Sequence, residues 1–462
     1  MRRVLAAVLP LSLVAFAFAC DDTIAGGGSD LDLDAGNLDA FVPPIPQVDG
    51  STPDAAIITV TVQVLGGPSK AGVPVVFEYA DAKLETITTD ANGLAVSAGA
   101  TTPVKATALL TFPNDGTAAP APVTGLGLGA GDVLQVRGFD VDANPVGTYD
   151  LTAADPMGDE VEAQVSDACS GRPFEGVSGT VDVYGQCMQD DGKATILATR
   201  LGGDRTFAFL KDVAAPAAGG SAQTLGAWAA ADELAVALTN IPTSAGLEIR
   251  TQEVYKGRAY HRDGREVGGG EPAKFVVPTG FATSHQAGIS LNGNGGSLRG
   301  LITSAAPDAT KKITLDLAKL PSELGPISVE GEPKAAKFAW TGDTAGMTGG
   351  IVSVAYPSSA DGGTRFWTFV VPGGTASVTL PSLPAEQTAF GVRDGATIED
   401  DFPVSGASLA FVKAPAALTP ALMRAKAATF GDFVYLYATQ LVEQAVLPVD
   451  GEYTLTGRVP LQ

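Results

Sequence analysis

The sequence predicts an all-β protein built of tandem β-sandwich domains behind an N-terminal leader and a tether. Three observations carry this. Short runs of Val, Ile and Thr alternate with polar residues at the period of two that marks a half-buried strand. Those runs are punctuated by turn-forming residues, with 56 Gly and 31 Pro in 462 residues. Only one stretch, "TPALMRAKAA", reads as a helix, with Thr419 as N-cap and Pro420 in the first helical position. The length allows roughly three domains at about 150 residues each.

In chain order, residues 1–19 have the form of an export leader. Arg2 and Arg3 give a positive start, Val4 to Phe18 form an apolar run, and Ala17-Phe18-Ala19 precedes a cut. The run is shorter than the ~20 residues that span a bilayer. The segment "AFAC" resembles the lipobox of bacterial lipoproteins, with Ala17 standing where such motifs usually carry Leu. The resemblance implies lipidation of Cys20 as the first residue of the mature chain. Residues 20–55, "CDDTIAGGGSDLDLDAGNLDAFVPPIPQVDGSTPDA", are rich in Asp, Gly and Pro. Such a composition cannot bury enough apolar surface to offset its ordering entropy, so a disordered acidic tether is expected.

Residues 56–113 form the clearest β unit. "IITVTVQVLG", "GVPVVFEYA" and "LETITT" read as strands, and Asn92-Gly93 is a strong tight-turn signal. Gly72 to Val75 and Thr89 to Gly93 occur in the order seen in bacterial immunoglobulin-like and carboxypeptidase-regulatory-like β-sandwiches, which this stretch resembles. The resemblance implies a spacer or binding module and no active site. Residues 114–230 begin with a Pro/Gly-rich connection and continue as a second β-rich unit. With Cys20 assigned to the anchor, Cys169 and Cys187 remain as an even pair in an exported chain. A disulfide between them is expected to contribute roughly 3 kcal/mol. A further β-sandwich unit is expected over 231–310 and a C-terminal β-rich unit over 311–462. "ELAVALTNIP", "KITLDLAKLP" and "ASVTLPSLP" align on Pro242, Pro321 and Pro384 and suggest that β units recur.

The two histidines lie in "HRDG" and "HQAG", and neither supplies the His-x-x-Glu of a zinc carboxypeptidase. His261-Arg262-Asp263 lacks the other parts of a kinase site and is read as a polar loop between strands. Ser97 in "AVSAG" follows a turn with no helix behind it, so it is not a nucleophile elbow. "GLGLGAGD" precedes a strand, whereas phosphate binding of that kind uses a helix N-terminus. "DVDAN" leaves Asp140, Asp142 and Asn144 as calcium candidates, but Pro145 and Leu151 stand where a helix-loop-helix site needs Gly and Glu. The tether's Asp30, Asp32 and Asp34 fail the same test. Trp228, Trp340 and Trp367 are expected in the core rather than on a sugar-stacking surface.

A formal net charge of −22 argues against nucleic acid as a partner. No cofactor is expected, and no catalytic constellation emerges. The resulting expectation is a non-enzymatic, lipid-anchored protein of the cell envelope, facing the cell surface or the periplasm. Its structural, display or adhesion role would involve an envelope protein or polysaccharide partner. Two alternatives stay open: a carbohydrate- or peptidoglycan-binding module, and a glycoside hydrolase whose paired carboxylates are dispersed in sequence.

Overall fold

In the computed structural model, twenty-nine strands are described, and they run as four successive sandwiches. The structure describes residues 58–458, apart from 66–69, 115–116, 138–144, 155–158, 167–168, 172, 190, 203–204, 218, 242–246, 268–270, 294–295, 308–310, 361, 404–405 and 428–448. Residues 1–57, and with them the leader, Cys20 and the tether, lie outside the described residues, as do Asp140, Asp142 and Asn144.

The first sandwich comprises β1 (Thr61–Leu65), β2 (Pro74–Glu78), β3 (Leu84–Thr88), β4 (Leu94–Val96), β5 (Lys105–Asn114), β6 (Thr117–Leu126) and β7 (Val133–Arg137). One sheet runs β4-β1-β7, and the facing layer runs β3-β2-β5-β6. The alternation in "TVQVL" sends Val62 and Val64 inward, where they meet Val75, Phe77, Ala108 and Leu134. Asn92-Gly93 makes the expected turn: the Asp90 carboxylate accepts from the Asn92 and Leu94 amides at 2.8 and 2.9 Å. Gly93 has φ +79°, and a Cβ there would stand 2.3 Å from the Val64 carbonyl oxygen.

This first core continues past residue 113, because the Pro/Gly-rich stretch read as a connection is strand β6, paired along its length with β5. Pro120 and Pro122 are tolerated because the far side of β6 is paired only at Val123–Gly125.

The second sandwich holds β8 (Gly147–Thr152), β9 (Glu160–Ser166), β10 (Cys169–Ser170), β11 (Phe174–Glu175), β12 (Ser178–Val183), β13 (Lys193–Arg200), β14 (Thr206–Ala214) and β15 (Ser221–Thr224). The third holds β16 (Ala229–Thr239), β17 (Leu247–Tyr255), β18 (Arg258–Val267), β19 (Ala273–Pro278), β20 (Ser284–Asn292), β21 (Ser297–Ala305) and β22 (Lys312–Asp316). The fourth holds β23 (Ile327–Glu330), β24 (Lys337–Trp340), β25 (Gly349–Pro357), β26 (Thr364–Pro372), β27 (Ser377–Thr379), β28 (Ser408–Lys413) and β29 (Glu452–Arg458).

The chain path is the same in the first three. The opening strand (β1, β8, β16) lies between an antiparallel and a parallel neighbour, the latter being the closing strand (β7, β15, β22). In the fourth, β24 takes the opening place and the preceding β23 sits where a closing strand would, now antiparallel. The three aligned Pro-ended segments do not mark this repeat. Two of them are β16 and β22, parallel neighbours in one sandwich, and the third contains β27 in another. Any half-buried strand shows the period of two, so the pattern does not report a strand's place in the fold.

The larger layers of three sandwiches join edge to edge. A twelve-stranded sheet runs β18-β17-β20-β21-β29-β28-β25-β26-β6-β5-β2-β3 and places the fourth sandwich between the third and the first. The joints are the antiparallel pair β21–β29 and the parallel pair β26–β6. Cross-strand partners share a face. Val370, opposite Gly125, belongs to the first core, whereas Trp367 and Phe369 belong to the fourth. The small sheets of the first and fourth sandwiches therefore cover opposite faces. The Trp367 indole N–H donates across the joint to Thr124 Oγ1 at 2.8 Å, and Thr124 shares a hydrogen bond with Thr107 at 2.9 Å.

The expected helix is Pro420–Ala425, with Thr419 Oγ1 accepting from the Leu422 amide at 3.2 Å. It ties the fourth sandwich to the first through the Arg424–Asp132 ion pair.

Candidate functional site

Cys169 and Cys187 are joined in a disulfide with a Cα–Cα distance of 5.9 Å. Both side chains lie in the second core beside Val165, Val181 and Ile196. The bond fastens the segment after β9 to the short 3-10 turn Gly185–Cys187, a structural role.

The two histidines are both buried in the third sandwich. His261 is in strand β18, which corrects the loop expected at His261-Arg262-Asp263. The pairing with β17 slips between Gln252 and Glu253, and His261 takes φ +39°. Its backbone N–H donates to Gln164 Oε1 of the second sandwich at 3.0 Å, and its ring Nε2 lies 2.8 Å from the Val276 carbonyl oxygen. Phe207 packs against the imidazole edge-on at 4.8 Å. Burial pushes the His261 pKa down and outweighs the raising effect of the Val276 carbonyl.

His285 on β20 sits opposite Glu253 on β17, and Nδ1 lies 2.6 Å from Glu253 Oε2. The inward phase of "LEIRTQEVY" is Leu247, Ile249, Thr251 and Glu253, and that of "SHQAGISLN" is His285, Ala287, Ile289 and Leu291. The pair thus continues two apolar inner rows at their polar end. Burial raises the Glu253 pKa and outweighs the opposing hydrogen bond to His285. Glu253 Oε1 and His285 Nε2 are buried without a hydrogen-bond partner among the described residues.

A carboxylate that holds one ring nitrogen and leaves the other open is how a general base or a metal ligand is oriented. The remaining parts do not assemble around it. No described hydroxyl or thiol bonds to Nε2, and Ser284 and Gln286 flank His285 in the opposite phase of the strand. Among the described residues no three His, Cys, Asp or Glu side chains gather to hold a metal ion. This acid–imidazole pair escaped the sequence reading, although carrying the period-2 phase from the apolar half of each strand would have placed both groups inside.

The other candidates are structural. Ser97 Oγ accepts from the Val60 amide at 2.9 Å inside the first sandwich. Trp340 and Trp367 are core residues, and Trp228 Nε1 donates to the Ala154 carbonyl oxygen at 2.9 Å. Phe366, 54% exposed, is the aromatic that stands out on the described surface. No helix among the described residues is long and apolar enough to cross a membrane.

No family model matches the chain, and no curated protein matches it. Three solved structures show partial likeness. The structure of a streptococcal ancillary pilin overlaps 56% of this chain and 98% of its own at 8% identity and a TM-score of 0.14. A tetra-tandem repeat from the extending region of a large adhesion protein overlaps 77% and 94% at 10% identity and 0.13. BcpA, the major pilin subunit of Bacillus cereus, overlaps 56% and 97% at 9% identity and 0.13. Scores this low define no common fold, and the architecture rests on this chain's own strand pairing.

Proposed function

We propose that this chain is an exported, lipid-anchored protein of the cell envelope with a non-catalytic structural or binding role. Residues 1–19 direct export, Cys20 carries the lipid, and residues 20–55 hold the folded body away from the membrane. The observation that carries the reading is the twelve-stranded sheet. It fuses three sandwiches into one continuous scaffold, with the buried Trp367 and Thr124 side chains hydrogen-bonded across one of its joints. The buried disulfide of the second sandwich supports an oxidising compartment. The partner would be an envelope protein or polysaccharide, and the acidic charge disfavours nucleic acid.

The test is metabolic labelling with a fatty acid, comparing the full chain with Cys20→Ala, followed by protease treatment of intact cells. Label on the wild-type chain alone, with release of the variant in soluble form, is the expected result. An unlabelled wild-type chain, or a variant retained in the membrane, would remove the anchor from the proposal. Cleavage by protease on intact cells assigns display to the outer surface, and protection assigns partners behind the outer barrier.

A further inference from the structure

The two ends of the twelve-stranded sheet are built differently. At one end, β18 carries Arg258, Arg262, Asp263, Arg265 and Glu266, is kinked at His261, and has the His261 N–H capped by Gln164. Charges, a kink and a covering side chain are the devices that keep a sheet edge from recruiting another strand. At the other end, β3 has the sequence Leu-Glu-Thr-Ile-Thr and pairs, among the described residues, with β2 alone. It contains no Lys, Pro or register slip, and its one charge is withdrawn: the Glu85 carboxylate accepts from the Tyr79 hydroxyl and the Ala98 amide.

The hydrogen-bond phase of β3 is set by its neighbours. The Thr89 amide donates to the Val73 carbonyl, and the Lys83 carbonyl accepts from the Tyr79 amide. Odd-numbered residues therefore bond towards β2, and the N–H and C=O groups of Leu84, Thr86 and Thr88 face the open edge. The molecule already joins sandwiches by such edges. In the fourth sandwich β26 holds the place that β3 holds in the first, and there β6 is paired to it.

We propose that β3 is a self-association edge, at which two copies of this chain pair β3 to β3 antiparallel about Thr86 and continue the sheet across a two-fold axis. The sequence is self-complementary in that register. Thr86 stands opposite Thr86 of the second copy, Leu84 opposite Thr88, and Glu85 opposite Ile87. Threonine pairs are favourable cross-strand partners and no like charges face each other. Centring the axis on Glu85 would oppose two carboxylates. The open groups of Leu84, Thr86 and Thr88 are the ones that bond in the Thr86-centred register. Among the described residues the sixth strands of the four sandwiches are already engaged, β6 by β26, β14 by β16, and β21 and β29 by each other, so the self-complementary β3 of a second copy is the matching strand.

Disulfide trapping in the exported full chain, carrying Cys20→Ser to remove a competing thiol, tests this. A hydrogen-bonded antiparallel pair has its Cα atoms about 5.5 Å apart, within disulfide range. Thr86→Cys should therefore yield a covalent dimer under mild oxidation. Thr88→Cys should not, because the two copies of residue 88 lie four residues out of register, roughly 14 Å apart. Thr86→Pro, which removes an outward N–H, should convert the dimer to monomer by light scattering, while its melting temperature matches that of wild type at concentrations dilute enough for both to be monomeric. A Thr86→Cys chain that stays monomeric, as it would if its own N-terminal segment covered the edge, overturns the proposal. Equal cross-linking at residues 86 and 88 also overturns it.

Discussion

Replacing Thr124 by Val tests whether the first sandwich is welded to the fourth or merely leans on it. Thr124 and Trp367 are both fully buried, and the indole N–H has Thr124 Oγ1 as its partner across the joint. Valine keeps the volume but strands the buried indole N–H, at a cost of about 1–3 kcal/mol, and also removes the hydrogen-bond partner of the Thr107 hydroxyl, so this range is a lower bound. The thermal readout then depends on how much of the chain unfolds together. Unfolding entropy near 60 °C is about 2.1 cal/mol/K per residue, so ~80 residues of one sandwich carry about 0.17 kcal/mol/K and ~400 residues about 0.84. The same loss would lower an independent first sandwich by about 6–18 °C but the whole body by only about 1–4 °C. The continuous sheet, Val370 in the first core, and the Arg424–Asp132 pair predict the smaller shift in a single transition. Scanning calorimetry of wild type, Thr124→Val, Trp367→Phe and the double variant measures it, with a coupling near the single-site cost. A separate early transition that moves by more than 6 °C while the main one stays put would refute the weld.

Three further outcomes are expected. His285→Leu leaves the buried Glu253 without its partner and should cost about 3–5 kcal/mol, whereas the double change Glu253→Leu/His285→Leu should recover much of it; urea midpoints check this, and a double variant as unstable as the single contradicts it. Because burial lowers the His261 pKa, the unfolded chain binds that proton more readily, so the contribution of His261 is intact above about 6.5 and declines as pH falls towards the folded value. Glu253, with its pKa raised, acts in the opposite sense, so the test is the difference in melting temperature between wild type and His261→Gln from pH 8 to 5; a constant difference would count against the His261 contribution. Finally, the double variant Cys169→Ala/Cys187→Ala should lose roughly 3 kcal/mol and become insensitive to reductant, as judged by denaturant midpoints with and without dithiothreitol.

What the sequence by itself determined was local. The alternation of Val62 and Val64 marked a strand, the Asp90 to Gly93 segment dictated its turn, Thr419-Pro420 started the helix, and, with Cys20 assigned to the anchor, Cys169 and Cys187 were left as a pair. Each depends on residue type over a few positions or on simple parity. The candidate site was half legible: both histidines were visible, but the Glu253–His285 pair spans 32 residues and needed the register of β17 on β20. Only the tertiary structure decided that Pro120 and Pro122 belong to a strand, that β16 and β22 are neighbours, and that the fourth sandwich lies between the third and the first. The physical reason is that edge-to-edge joining is made by backbone N–H and C=O groups. Nearly every residue carries them, so such a joint leaves little signature in side-chain chemistry.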